Sequence, residues 1–441
     1  PKSGFSVREF FGELRLPIIE NAYLAKNLSL ELGYRLADYN GSGTNSTYKA
    51  GIVWQPLDLL RLRASYNHAA KAPNVLDLYS PQNVVLGTFS DPCAGASPSA
   101  TASACAKSGV SSSQYGKLLN CPAAQCNILS GGNPLLKPED ADTYTIGAVI
   151  TPDEWLPGFT LTADYFSIKV NHAIGSIAST VSLSGCLNGN TALCSNVHRD
   201  SSGYLFTPTG YVVSTGLNAG WLKTSGLDLE ANYQTGLDVL GLENAGGLSL
   251  NYVSTFLSDY SVSPYPGACQ YVTGSTVGNC GGTTAPSGST VSTSYDCVGM
   301  FGEACGTPNP RYRHKLRATW STPWSINLSL DWRYVSNVIY SGNTSNPFLR
   351  KGGYLATASY GPSNPVVAGD HIPDFSWFDL AANWEVSEKI GITTGVNNVF
   401  DKDPPLMASG GVVSGHVNAN TFMNLYDPLG RYLFINVTVR N

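Results

Sequence analysis

LLRLRASYNHAAKAPNVLDLYSP, Leu59 to Pro81, and GGNPLLKPEDADTYTIGAVITP, Gly131 to Pro152, decide how this chain folds. In the first stretch Leu60, Leu62, Ala64 and Tyr66 alternate with Arg61, Arg63, Ser65 and Asn67. In the second, Tyr144, Ile146, Ala148 and Ile150 alternate with Thr143, Thr145, Gly147 and Val149. Strict period-two alternation marks a strand with two unlike faces. Between them lie about fifty residues rich in Ser, Ala, Gly and Cys, with almost no apolar periodicity. Two such strands, with a very long loop on one side and short turns on the other, are the unit the whole chain repeats.

Working outward, Phe10–Ile18 sets Leu14, Leu16 and Ile18 against Glu13 and Arg15, and similar strands follow at Leu28–Leu36 and Tyr48–Trp54. Phe159–Val170 alternates until a slip near Ser167, which suggests a bulge. Further strands read at Leu217–Gln234, Leu248–Tyr252, Leu316–Trp320, Trp324–Tyr334, Phe378–Trp384, Ile390–Val396 and Leu433–Val439, making about thirteen in all. Long loops fill about 73–138, 173–215, 261–309, 339–373 and 401–427, within what reads as one domain over residues 1–441. A soluble sandwich has no reason to gather its long loops at one end. A transmembrane barrel does, with apolar residues toward lipid and polar ones toward the lumen. Trp54, Trp155, Trp320 and Trp324 lie beside short turns, where an interfacial aromatic girdle belongs. The expected fold is therefore an all-β, antiparallel transmembrane β-barrel.

Composition narrows the function. Charged residues make up 13% and the net charge is -5, which argues against nucleic acid, whose binders carry a basic patch. No apolar run is long enough for a membrane-spanning helix. No Gly-x-Ser-x-Gly elbow, His-Glu-x-x-His or phosphate loop is present, so no enzyme is expected and no cofactor is implied. His198, His371 and His416 fall in loops and read as solvated.

Lys71-Ala-Pro-Asn-Val-Leu-Asp-Leu-Tyr-Ser-Pro81, followed by Asn133-Pro-Leu-Leu-Lys-Pro-Glu139, Tyr144 and Gly147, resembles the paired boxes of TonB-dependent outer-membrane receptors. Lys71 stands where those receptors usually have Arg, and Asp77 where they have Glu. Thr224–Glu230, Gly395–Asp401 and the strand after Gly430 carry further echoes. The resemblance implies a barrel of about 22 strands around an N-terminal plug. It also implies import of a scarce ligand such as an iron-siderophore or carbohydrate, on TonB-supplied energy, in the outer membrane of a Gram-negative bacterium with the loops extracellular. The expected partners are outer-membrane lipid and lipopolysaccharide, TonB through the plug region, and a small-molecule ligand. This chain shows no plug-like segment or TonB-contacting box and too few strands, so it reads as a C-terminal portion of such a barrel. Its last strand ends at Asn441, where the family usually has an outward Phe. A passive porin-like channel closed on itself and a surface adhesion protein are the alternatives. Residues 74–132 contain no His, which argues against haem.

The ten cysteines, Cys93, Cys105, Cys121, Cys126, Cys186, Cys194, Cys269, Cys280, Cys297 and Cys305, all fall in loops, in even numbers per loop. In an exported protein that reads as disulfides, and no Cys-x-x-Cys suggests a metal. Sequential pairing (93–105, 121–126, 186–194, 269–280, 297–305) is expected, with the nested 269–305 and 280–297 left open. Tyr115, Tyr204, Phe206, Tyr211, Tyr265, Tyr271, Tyr295 and Tyr340 are the candidate ligand-binding aromatics, suited to stacking on a sugar or an aromatic chelate. Glu31, Arg35, Lys49, Arg61, Arg63, Asp228, Glu230, Lys315, Arg317, Asp331 and Arg333 are expected to face the lumen or the plug.

Overall fold

The computed structural model describes residues 4, 6–263, 295–302, 305–341, 371–406 and 421–440. Four long strands come first, β1 (Val7–Ala22), β2 (Ala25–Tyr39), β3 (Gly43–Leu57) and β4 (Leu60–Lys71). Helix α1 (Val75–Tyr79), strand β5 (Asn83–Thr88), helix α2 (Ala102–Lys107) and strand β6 (Gln125–Ser130) follow, in a stretch whose sequence shows no periodicity. Long strands resume with β7 (Glu139–Ile150) and β8 (Phe159–Ser176), and the next connection holds α3 (Ser179–Leu187), α4 (Thr191–Cys194), β9 (Val197–His198) and β10 (Tyr211–Val213). Then come β11 (Gly216–Gly236), β12 (Gly247–Ser263), β13 (Tyr295–Asp296), β14 (Met300–Gly302) and β15 (Gly306–Asn309). The remainder is β16 (Tyr312–Ser321), β17 (Ile326–Val335), β18 (Val338–Tyr340), β19 (His371–Ile372), β20 (Phe375–Ser387), β21 (Ile390–Asn397) and β22 (Tyr432–Val439).

The long strands lie side by side in chain order, β1-β2-β3-β4-β7-β8-β11-β12-β16-β17-β20-β21-β22, in one sheet to which β13 adds a short piece against β12. Every neighbouring pair is antiparallel. Among the described residues β1 pairs with β2 alone and β22 with β21 alone, and every residue of β1 is exposed. Because the side-chain period is two, the registers sort the sheet into two faces. Ile52, Ala64, Ile146, Tyr165, Leu227 and Phe256 stand in one row across six strands. The row behind it reads Val53, Arg63, Gly147, Asp164, Asp228 and Thr255. Over these rows one face is apolar and the other mostly polar.

The bulge expected at Ser167 is not there. β8 pairs with β7 without interruption from Asn171 to Leu161, and the register slip lies on its other flank, where Asn171 and His172 face Trp221 of β11. His172 takes the positive φ of 53° that this bulge requires. What changes at Ser167 is polarity: beyond it Ser167 and Lys169 continue the outward apolar row of Leu161, Ala163 and Tyr165, while Phe166, Ile168 and Val170 point to the other side. At the short-turn end the Trp54 indole donates to the Leu24 carbonyl (2.9 Å) and that of Trp320 to Ala245 (2.8 Å), tying turn to turn. No helix among the described residues is long and apolar enough to cross a membrane.

The long connections fold into caps at the opposite end of the sheet. β5-β6-β10-β9 form one small sheet and β15-β14-β18-β19 another. The buried cores lie at this end, and the second also takes in Val335 of β17 and Phe375 and Trp377 of β20. One gathers Phe89, Leu118, Leu183, Leu205 and Val212, the other Phe301, Val338, Ile372, Phe422 and Tyr426.

Candidate functional site

The two boxes that open the sequence reading dock into each other at the top of β4 and β7. Asn74 caps α1 by accepting from the amides of Leu76 and Asp77 (both 2.8 Å), and the Asp77 carboxylate accepts from the Asn74 amide (2.9 Å). The second box lies on this helix: the Asn133 amide donates to the Asp77 carbonyl (2.8 Å) and the Gly132 amide to the Ser80 carbonyl (3.0 Å). A side chain on Gly132 would sit 2.7 Å from the Ser80 nitrogen, so only glycine allows the contact. The Asn133 side chain then reaches the Gly216 carbonyl (2.9 Å), and Asn218 exchanges two 2.8 Å bonds with the Lys137 backbone. Leu78 and Leu136 are 3% and 2% exposed. The motif is a fastening that ties the first long connection to the start of β11.

Above this clip two connections fold as one body. Cys93–Cys105 and Cys121–Cys126 pin the first, Cys186–Cys194 the second. The Arg199 guanidinium grips Asp91 from 108 residues away, with Nη2 donating to Oδ1 at 2.9 Å and Nη1 to Oδ2 at 2.5 Å. Arg199 also donates to Ser108 Oγ (3.1 Å) and the Gly203 carbonyl (2.9 Å), and both side chains of the pair are almost wholly buried. In the second cap Cys297 bonds Cys305, which selects sequential pairing there over the nested alternative; Cys269 and Cys280 lie outside the described residues.

Below the caps, the charged residues expected toward a lumen all stand on the polar face of the sheet, and most are paired. Arg35 bonds Glu9, Lys49 bonds Glu13 (3.1 Å) and Arg15 faces Glu31 (3.7 Å). Arg63 Nε donates to Asp164 (2.8 Å) across the intervening strand β7, a span that Gly147 leaves open, because a Cβ there would strike the Asp164 carboxylate. Gly33 does the same between Glu13 and Lys49. Asp331 holds both Lys315 (3.4 Å) and Arg317 (3.0 Å), and Arg333 pairs with Asp379 (3.0 Å). Asp228 accepts from Thr255 and Glu230 from Asn232 (both 2.8 Å), while Arg61 has no ion pair among the described residues. These pairs are mostly solvated and each contributes little to stability, about 0–1 kcal/mol. Together they make a hydrated, charge-balanced surface.

The aromatic candidates divide. Tyr295 and Tyr340 are each 6% exposed, built into the cap cores beside Cys297 and Phe301, with no face for a ligand. Tyr115 hydrogen-bonds the Ala100 carbonyl (2.9 Å), and Tyr204 and Phe206 pack ring on ring (4.8 Å) against the first core, all three half-buried. Tyr211 lies 5.1 Å from His198. Tyr265 and Tyr271 lie outside the described residues, as does His416; His371 belongs to β19 in the other cap. Among the described residues no group of three or more His, Cys, Asp or Glu is placed to hold a metal ion. Sequence reasoning missed the Asp91–Arg199 pair, since nothing local marks two charges so far apart as partners.

Residues 2–399 match the family model described as TonB dependent receptor-like, beta-barrel. Among solved structures, a mutant form of the ferric enterobactin receptor PfeA of Pseudomonas aeruginosa aligns with 99% of this chain at a TM-score of 0.58 and 15% identity. The siderophore receptor PirA of Acinetobacter baumannii does so at a TM-score of 0.54 and 13% identity. This chain spans 45% and 46% of those two proteins, respectively, and the likeness at such identity is one of fold. A comparison with curated protein sequences gave no match.

Proposed function

Because this chain belongs to the TonB-dependent receptor-like β-barrel family, we propose that it supplies wall strands and the outer cap of an outer-membrane receptor importing a scarce nutrient. The nutrient is an iron-siderophore chelate, a carbohydrate or a similar small molecule, and TonB supplies the energy through a plug that would lie outside this sequence. The observation that carries the reading is the one-sided build: two-faced strands in an unbroken antiparallel meander, with the described parts of the long connections folded at one end. A sheet apolar on one face over its mid-strand rows suits hydrocarbon, and its hydrated, ion-paired reverse suits a plug and passing solute. The siderophore receptors it resembles in fold put the iron chelate first among ligands. Of the described aromatics, Tyr115, Tyr204, Phe206 and Tyr211 keep enough exposed ring to meet one.

The test is uptake by cells carrying or lacking the gene, with a labelled ferric siderophore and a labelled oligosaccharide as probes. Accumulation of one probe that vanishes when TonB is removed supports the proposal. Size-limited entry of both that ignores TonB would instead support a passive channel. That alternative needs a wall closed on itself, and the separate partners of β1 and β22 speak against it.

A further inference from the structure

An open sheet edge invites stray pairing, and proteins blunt such edges with short strands, prolines, bulges or charge. In the cap sheets the edge strands β9 and β19 are two residues long, and β15 carries Pro308. β5, the remaining edge, has no such defence. It runs six residues, Asn83–Thr88, in unbroken register with β6. No charged residue occurs from Leu78 to Ser90. Val84, Val85 and Leu86 are 39%, 42% and 65% exposed, so the strand is apolar and open on both faces as well as along its edge.

The hydrogen bonding fixes what that edge presents. On β6 the Asn127 amide donates to the Leu205 carbonyl (2.7 Å) and the Leu129 carbonyl accepts from the Ser214 amide (2.8 Å), both away from β5. The bonds to β5 therefore come from Ile128 and Ser130, opposite Val85 and Asn83. That leaves the amides and carbonyls of Val84 and Leu86 pointing out of the sheet, and among the described residues β5 has no strand neighbour but β6. An occupant must bring an extended, uncharged strand, since a charge set against this edge would lose water and find no partner. β5 itself meets that description. In an antiparallel pair of copies, Val84 of each faces Leu86 of the other, each such pair exchanging both its main-chain bonds. Val85 then meets Val85 on the two-fold axis, with Cα atoms about 4.5 Å apart.

We propose that β5 is a dimerisation edge, through which two copies of this chain join their first caps into one continuous sheet.

The test uses the full protein in mild detergent without reductant. Val85→Cys should run as a disulfide-linked dimer on a non-reducing gel, because that Cα separation lies within disulfide reach. Leu119→Cys, at a residue 63% exposed in the same cap, should run as a monomer. Without added cysteine, light scattering should find dimers, and Leu86→Lys should weaken them about tenfold while Leu86→Ile keeps them. Wild type that is monomeric throughout overturns the proposal, as does a Val85→Cys yield no greater than that of Leu119→Cys. Slow exchange of the Val84 and Leu86 amides in a monomer also overturns it, by showing that the same polypeptide fills the edge. Cross-linking of Val85→Cys to a different protein in cells would overturn the second copy as the occupant.

Discussion

Asp91 and Arg199 show how much one pair can carry when both partners are dry: their side chains are 4% and 3% exposed. Removing one partner of a buried pair leaves an uncompensated charge and costs roughly 3–5 kcal/mol, whereas apolar replacement of both can be neutral. Arg199→Leu should therefore open the first cap to protease within the 84–130 and 177–214 segments, and Asp91→Leu added to it should restore resistance. Tyr426 makes the converse case. It is fully buried, its hydroxyl finds no hydrogen-bond partner among the described residues, and burial pushes its phenol up. Folding thus favours the neutral form. That stabilisation is complete below the ordinary phenol pKa of about 10 and is lost as pH rises from there toward the folded value. Tyr426→Phe should stabilise the second cap by about 1 kcal/mol at neutral pH and abolish its alkaline loosening, read by hydrogen exchange. On the sheet, Leu328 is on the apolar face, while Ser329 shares a 3.0 Å hydrogen bond with Thr319 on the polar one. Leu328→Arg should impair membrane insertion by roughly 2–4 kcal/mol and Ser329→Arg far less; equal losses would mean the faces are reversed.

Among the elements, the clip between α1 and the residues before β7 is the junction most exposed to a single change. Gly132→Val cannot be accommodated without moving Ser80, so it should release the first cap from the sheet and leave the β4–β7 pairing intact, which separate exchange rates for Leu62 and Val85 amides would reveal. The strands were legible because a two-faced sheet imposes its period on every residue: Tyr144, Ile146 and Ala148 could be read from sequence alone. The caps were not. Their cores join short pieces such as Val212 of β10 and Ile128 of β6, paired in parallel from distant connections, and no local pattern records such a contact. The same limit explains the aromatics. A loop tyrosine looks alike in sequence whether it faces ligand or, as Tyr340 does, packs against Phe301. The polar-face charges were legible one by one, while their pairing across a glycine, as with Arg63 and Asp164 over Gly147, needed the registers. The slip at Ser167 was a real signal of polarity reversing at Lys169, read as a backbone irregularity because both disturb the alternation.

For the molecule as a whole, the caps stand on a sheet with its own hydrogen-bonded frame, although the second cap's core takes in Val335 of β17 and Phe375 and Trp377 of β20. The described disulfides are confined to the caps, and no strand of the long meander closes through a sulfur. Reductant should loosen the caps while the sheet keeps its heat-modifiable gel migration; loss of that migration on reduction alone would show that the sheet depends on them. The described bridges join residues 12, 5, 8 and 8 positions apart, each inside a single connection. Segments this short bring their ends together in roughly 10–100 ns, far faster than thiols oxidise. A nascent chain threading through an oxidising compartment can thus make these staples in the correct pairs by proximity alone, before any strand has found its neighbour. Only the salt-bridged seam between the two connections has to wait for the strands to bring them together. In biogenesis, the ornaments are finished before the wall that displays them.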